Sequence, residues 1–188
     1  MNKQVWIEKA LGLGIQEFEI YQSTTVEKEM TWFQGQMDTL VSSKVTGTSI
    51  RGIVDGKMAN MALEEIDDSM CETVLKSLIE QAHIISNEET DSLRKPEPIE
   101  YAKKDVTWNM ASTEYVKDIL QSLEAKILAY DPRVIQVGYL GYSQGSGSRS
   151  IVNSLGMDVQ DADEMQYIVA SVCLLYTSPS PRDRQKSR

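Results

Sequence analysis

Few residues of this chain are of the types that carry chemistry, and their spacing decides what each can do. His83 is the only histidine. It follows Glu80 by three residues, on the polar face of a helix-patterned stretch, and reads as a solvated surface side chain because one imidazole cannot complete a zinc site. Glu64, Glu65, Asp67 and Asp68 lack the spacing and the glycine of a calcium loop, so they read as the negatively charged start of a helix. Gly145-Ser146-Gly147-Ser148 lacks the lysine and the following helix of a phosphate loop and is expected as a hairpin tip. Ser154 has no Gly-x-Ser-x-Gly setting and no histidine nearby, which argues against a serine nucleophile. Cys71 falls on an apolar helical stripe, where a small core side chain is wanted. No catalytic, cofactor-binding or metal-binding residue is expected in this sequence.

The elements around these residues follow from periodicity. Val5, Trp6, Ala10 and Leu13 recur at helical spacing from Lys3 to Leu13, and Gly12 and Gly14 end that helix. Glu17 to Gln22 alternates and predicts a strand, and Glu27 to Phe33 predicts a second. Three more strands are expected at Met37 to Lys44, Thr48 to Val54 and Lys57 to Leu63. Asp55-Gly56 accepts positive φ at both positions and makes the last link a tight hairpin. In that last strand Met58, Asn60 and Ala62 point to one face, and Ala59, Met61 and Leu63 to the other, more apolar face, which helices must cover.

Asp67, Asp68 and Ser69 are the N-cap candidates for the clearest helix. In it Cys71, Val74, Leu75, Leu78, Ile79, Ala82 and Ile85 form one stripe opposite Glu72, Lys76 and Glu80. From Asn87 to Ala111 the chain turns polar and proline-bearing, which predicts a long crossing connection. Ser112 or Thr113 caps a further helix with Val116, Ile119, Leu120, Leu123 and Ile127 on its stripe, and Asp131-Pro132 stops it. A strand then runs from Val134 to about Tyr142, a return strand from Ser150 to Asn153, and another opens at Gln166. The fold class is α+β, a mainly antiparallel sheet with packed helices. The expected domains are 1–95, helix, meander and helix; 96–172, a helix and the start of a second sheet; and 173–188, a non-native tail.

That tail is expected because Cys173 to Asp183, CLLYTSPSPRD, resembles a translated sequencing adapter. On that reading the natural sequence is interrupted near Val172, before a C-terminal domain. Setting the tail aside takes Lys+Arg from 19 to 15 and Asp+Glu from 28 to 27, so the net charge moves from −9 to −12. A chain this acidic, with no clustered basic face, repels phosphate backbones and argues against a nucleic-acid role. No apolar run reaches the length of a membrane span, and the N-terminus lacks the apolar core of a signal peptide. One remaining cysteine, Cys71, allows no internal disulfide, in agreement with a cytoplasmic location.

Taken in order, several phrases resemble the N-terminal part of the TldD/PmbA family. They are Glu17 to Tyr21 (EFEIY), the strand-turn-strand Gly52-Ile53-Val54-Asp55-Gly56-Lys57-Met58, the Asp131-Pro132-Arg133 stop, and Asn153-Ser154-Leu155-Gly156. The last phrase is more similar to the PmbA (TldE) branch. The chain departs from the family at Ala59-Asn60, where a glycine and an aromatic residue are usual. The resemblance implies a cytoplasmic zinc metallopeptidase of paired TldD/PmbA-type subunits that hydrolyses unfolded, extended peptides. Its zinc is held by a His-Glu-x-x-x-His helix in the partner or in the C-terminal half. This part of the subunit is then scaffold and subunit interface, with an exposed edge of the meander able to take an extended peptide as an added strand. The alternative is a non-enzymatic accessory binding or assembly module.

Overall fold

The computed structural model describes residues 1–64, 66–86, 90–98 and 109–175. Helix α1 spans Lys3–Gly12, α2 Cys71–Ile84 and α3 Thr113–Tyr130; strand β1 spans Glu17–Phe33, β2 Gln36–Val54, β3 Lys57–Leu63, β4 Val134–Asn153 and β5 Asp158–Leu174. A single 3₁₀ turn, Asp68–Met70, precedes α2. The strands form one sheet in the order β3-β2-β1-β4-β5. The fold is therefore α+β, an antiparallel sheet with packed helices.

The chain makes two compact units, and neither is continuous in sequence. Unit 1 comprises Met1–Val26, Ser43–Trp108 and Ser146–Glu164, and unit 2 comprises Glu27–Ser42, Asn109–Gly145 and Met165–Arg188. Strands β1, β2, β4 and β5 each contribute one stretch to either unit. The start of β1 shares a unit with the end of β4, so these two strands run antiparallel.

In unit 1, Trp6, Ile7 and Ala10 of α1 and Cys71, Val74, Leu75, Leu78 and Ala82 of α2 pack on Phe18, Ile20, Ile50, Val54 and Ala59 of the sheet. Ala59, Met61 and Leu63 face this helix layer, as the alternation of β3 requires. The packing is close at Gly52, where an added Cβ would lie 2.8 Å from Leu78 Cδ2 and 3.1 Å from Ile15 Cγ2. Asp67 Oδ1 accepts from Ser69 N–H at 2.7 Å ahead of α2. In unit 2, Val116 and Leu120 of α3 pack on Met30, Trp32, Val137, Leu140 and Tyr142, and Ser112 Oγ caps α3 by accepting from Tyr115 N–H at 3.2 Å.

Both tight hairpins sit on residue pairs with positive φ: Gln34 at 50° with Gly35 at 79°, and Asp55 at 49° with Gly56 at 75°. Elsewhere the expected breaks are absent. Glu17 to Gln22 and Glu27 to Phe33 belong to one strand, Met37 to Lys44 and Thr48 to Val54 to another, and Gly145 to Ser148 is no hairpin tip but the interior of β4. None of Gly47, Gly145 and Gly147 adopts the left-handed backbone that a turn would use. Hydroxyl groups keep the polar stretches in the ladder: Thr24 and Thr46 share a hydrogen bond of 3.0 Å, and Gln22 Nε2 donates to Thr48 Oγ1 at 3.3 Å. Gly147 leaves room for the Asp163 carboxylate, 2.9 Å from where a Cβ would stand. The break occurs instead at Ser154-Leu155-Gly156, with Gly156 at φ 95°, between β4 and β5.

Candidate functional site: the open sheet face of unit 1

Alternation along β1 sets the site. Phe18 and Ile20 face the helices, so Glu19 and Tyr21 face the other side, where the described residues of unit 1 place no helix. Residues 90–97 cross that side at the end bearing the Asp55-Gly56 turn. Asp91 N–H donates to Gly56 C=O at 2.9 Å, and Asp91 Oδ2 accepts from Met58 N–H at 3.0 Å. Leu93 N–H donates to Glu17 Oε2 at 2.6 Å, and Asn153 Nδ2 donates to Arg94 C=O at 2.9 Å. The strand faces are therefore spanned from β3 past β1 to β4. This strap is the described part of the expected crossing connection; Asn87 to Glu89 and Ile99 to Trp108 lie outside the described residues.

Beneath the strap Glu19 is 2% exposed, paired with the Arg51 guanidinium, and it accepts from Asn153 Nδ2 at 3.3 Å. Asn153 closes the network, its Oδ1 accepting from Leu155 N–H and Met157 N–H, each at 3.0 Å. Ser154 Oγ accepts from Phe18 N–H at 2.9 Å while Ser154 N–H donates to Phe18 C=O at 2.8 Å, so this serine ties the β4-β5 turn to β1. The Asn-Ser-x-Gly phrase thus does structural work on a buried carboxylate.

Beyond the strap the face is open, with Tyr21 at its middle. On one side Tyr21, Arg149, Ile151, Val159 and Asp161 line a cleft of about 370 Å³. On the other, Tyr21, Ser23, Ser49, Ala62, Leu63 and Glu64 line a cleft of about 320 Å³. Arg149 is paired with Asp163. These groups can hydrogen-bond and can pack against an apolar side chain, but they offer no nucleophile next to a base and no set of converging carboxylates.

The remaining candidates lie apart from this face. His83 is exposed, with Nε2 3.7 Å from Asp55 Oδ2 at the hairpin tip. Cys71 is buried in the helix layer, and burial pushes its thiol up, which makes it a poor nucleophile. Asp68 accepts from Asn2 N–H and from the Trp6 indole N–H, each at 2.9 Å, and so anchors the N-terminus. Glu65 lies outside the described residues. Among those described, no group of three or more His, Cys, Asp or Glu is placed to hold a metal ion. The donors among the described residues do not fit a zinc ion. No helix among the described residues is long and apolar enough to cross a membrane.

Two functional-looking groups were not visible in the sequence: the Glu19-Arg51-Asn153 network and, in unit 2, Glu124. The latter is buried on α3 and accepts from Trp32 Nε1–H at 2.8 Å and Gly35 N–H at 3.0 Å. The sequence signal for Glu124 is an acid four residues after Leu120, on the apolar stripe.

Two family models match this chain: residues 18–86 match "PmbA/TldA metallopeptidase domain 1" and residues 107–178 match "PmbA/TldA metallopeptidase central domain". No curated protein sequence matches it. Among solved structures, a candidate modulator of a DNA gyrase from Thermotoga maritima is similar at 18% identity and a TM-score of 0.79, over 94% of this chain and 40% of that one. TldE from Thermococcus kodakarensis is similar at 19% identity and a TM-score of 0.75, over 94% and 40%. A candidate modulator of DNA gyrase from Bacteroides thetaiotaomicron follows at 17% and 0.70, over 94% and 41%. The chain therefore spans about two fifths of the length of these structures.

Proposed function

The chain belongs to the PmbA/TldD metallopeptidase family, and from that premise we propose that it is the N-terminal portion of a subunit engaged in metal-dependent hydrolysis of unfolded peptides. In this reading the portion is scaffold and subunit interface, and its open sheet face forms part of the wall along which extended peptide passes. The zinc is held elsewhere, in a second TldD/PmbA-type subunit or in a C-terminal half, and the assembly works in the cytoplasm. What supports the reading is the order of the two family matches, first domain and then central domain, over a chain that spans two fifths of its solved relatives.

The test is to sequence the source DNA with long reads across the codons for Ser171 to Arg188 and beyond. A frame that continues into a second half supports the proposal. A His-Glu-x-x-x-His motif there makes the subunit catalytic, and a second half without one makes it accessory. A stop directly after Arg188 overturns the peptidase reading in favour of a self-contained binding module.

A further inference from the structure

The register of the β2-β3 hairpin fixes which backbone groups face outward. Val54 pairs with Lys57 across the two-residue turn, then Ile53 with Met58, Gly52 with Ala59, Arg51 with Asn60 and Ser49 with Ala62. In such a hairpin the pair flanking the turn is hydrogen-bonded and the pairs then alternate, so Lys57, Ala59 and Met61 turn their N–H and C=O toward β2. Met58, Asn60 and Ala62 turn theirs outward. The Met58 N–H bond to Asp91 agrees with this. Strand β3 is an edge of the sheet, so among the described residues the outward groups of Asn60 and Ala62 face no neighbouring strand. At the next rung Asp91 already stands where an added strand would, receiving Met58 N–H and donating to Gly56 C=O.

We propose that the outer edge of β3 at Asn60 and Ala62 accepts an extended peptide as an antiparallel strand, with an aromatic side chain opposite Ala62. A residue paired with Ala62 projects its side chain to the same face as Ala62, the open one. There the cleft of about 320 Å³ beside Tyr21 and Ser49 has room for a phenyl or phenol ring. Asp91 blocks the following rung and so fixes where the added strand stops, which sets the register. Glu64 at one end and Asp91 at the other favour lysine or arginine on either side of the aromatic residue. Main-chain pairing supplies the affinity and this one side chain the selection. The proposal rests on the peptide-wall reading above and names which edge performs it.

The test titrates the ¹⁵N-labelled 188-residue chain with acetyl-Lys-Thr-Phe-Ser-Thr-Lys-amide to about millimolar, the range expected for two rungs and one side chain. The amides of Asn60 and Ala62 shift together with those of Tyr21 and Ser23. N-methylation of the phenylalanine amide, which faces β3, weakens binding at least tenfold, whereas N-methylation of the following serine, whose amide faces away, leaves it unchanged. Asn60→Pro removes an outward N–H at an edge position that tolerates proline and weakens binding at least tenfold with an unchanged melting temperature. Ala62→Trp fills the cleft and abolishes the preference for phenylalanine over alanine in the peptide. Absence of shifts at Asn60 and Ala62, or equal weakening by both N-methylations, overturns the proposal. No metal and no second subunit enters this titration, so its failure leaves the family reading standing, and a stop codon after Arg188 leaves the edge site standing.

Discussion

Asn153→Ala should destabilise unit 1 by about 3 kcal/mol, on the basis of about 1 kcal/mol for each hydrogen bond lost in a buried setting. The side chain is 4% exposed, and it serves Leu155 N–H, Met157 N–H, Arg94 C=O and Glu19. Alanine leaves the first three without that partner. Asn153→Asp keeps both acceptor bonds but loses the donor to Arg94 and sets a second carboxylate beside Glu19, so it should cost more at neutral pH, about 3–5 kcal/mol. That extra cost comes from a carboxylate whose folded pKa is raised. It is present above the folded pKa and disappears as pH falls below the ordinary carboxylate value of about 4. Urea unfolding followed by circular dichroism at pH 7 and pH 4 measures both substitutions. A loss under about 0.5 kcal/mol for alanine, the range of ordinary surface changes, would refute the reasoning, as would an aspartate penalty that does not shrink at the lower pH.

Glu124→Ala removes the acceptor of the Trp32 indole N–H and of Gly35 N–H, and should cost unit 2 about 2–4 kcal/mol, read from the urea midpoint with a change in tryptophan emission. Gly52→Ala forces a Cβ toward Leu78 and should cost about 1–3 kcal/mol, partly recovered when combined with Leu78→Ala; equal and additive losses would contradict the contact. Asp67 is held below its ordinary 3.8 by hydrogen bonds from the Ser69 hydroxyl and N–H, and Asp68 by those from Asn2 N–H and Trp6. Their folded pKa values are depressed, so their stabilisation is full above 3.8 and is lost as pH falls through the folded values; Asp68→Asn should therefore flatten the acid limb of a stability profile below pH 4.

Local rules carried the reading of the sequence where one residue or one stripe decides the outcome. Asp55-Gly56 gave its hairpin because both φ values must be positive, and the Cys71-to-Ala82 stripe gave α2 and its buried face. Strand length was not legible for the same reason in reverse: glycine, serine and threonine at Ser23 to Thr25, Val45 to Gly47 and Gly145 to Ser148 resemble turns locally. What holds them extended is a partner strand across the ladder, such as Thr46 for Thr24, which lies 22 residues away. The open face was illegible too. Glu19 alternates as an exposed strand residue and becomes buried only because residues 90–94 cross over it, anchored by Asp91, Glu17 and Asn153. Pairings over 134 residues in sequence, as between Glu19 and Asn153, have no local signature.

Ala59 is buried opposite Gly52, beneath the layer containing Leu78, so the small side chain keeps the helix close to the sheet. Asn60 projects to the open face, where a larger aromatic side chain would stand over the strand edge.

The central proposal is that this portion of a PmbA/TldD-family subunit serves as scaffold and that the metal chemistry resides elsewhere. Its most direct test is to equilibrate the purified 188-residue chain with zinc, desalt it, and measure bound zinc by mass spectrometry alongside hydrolysis of an unfolded peptide. The expected result is zinc far below one ion per chain and no hydrolysis. One equivalent of retained zinc, or peptide cleavage that a chelator abolishes, would contradict it.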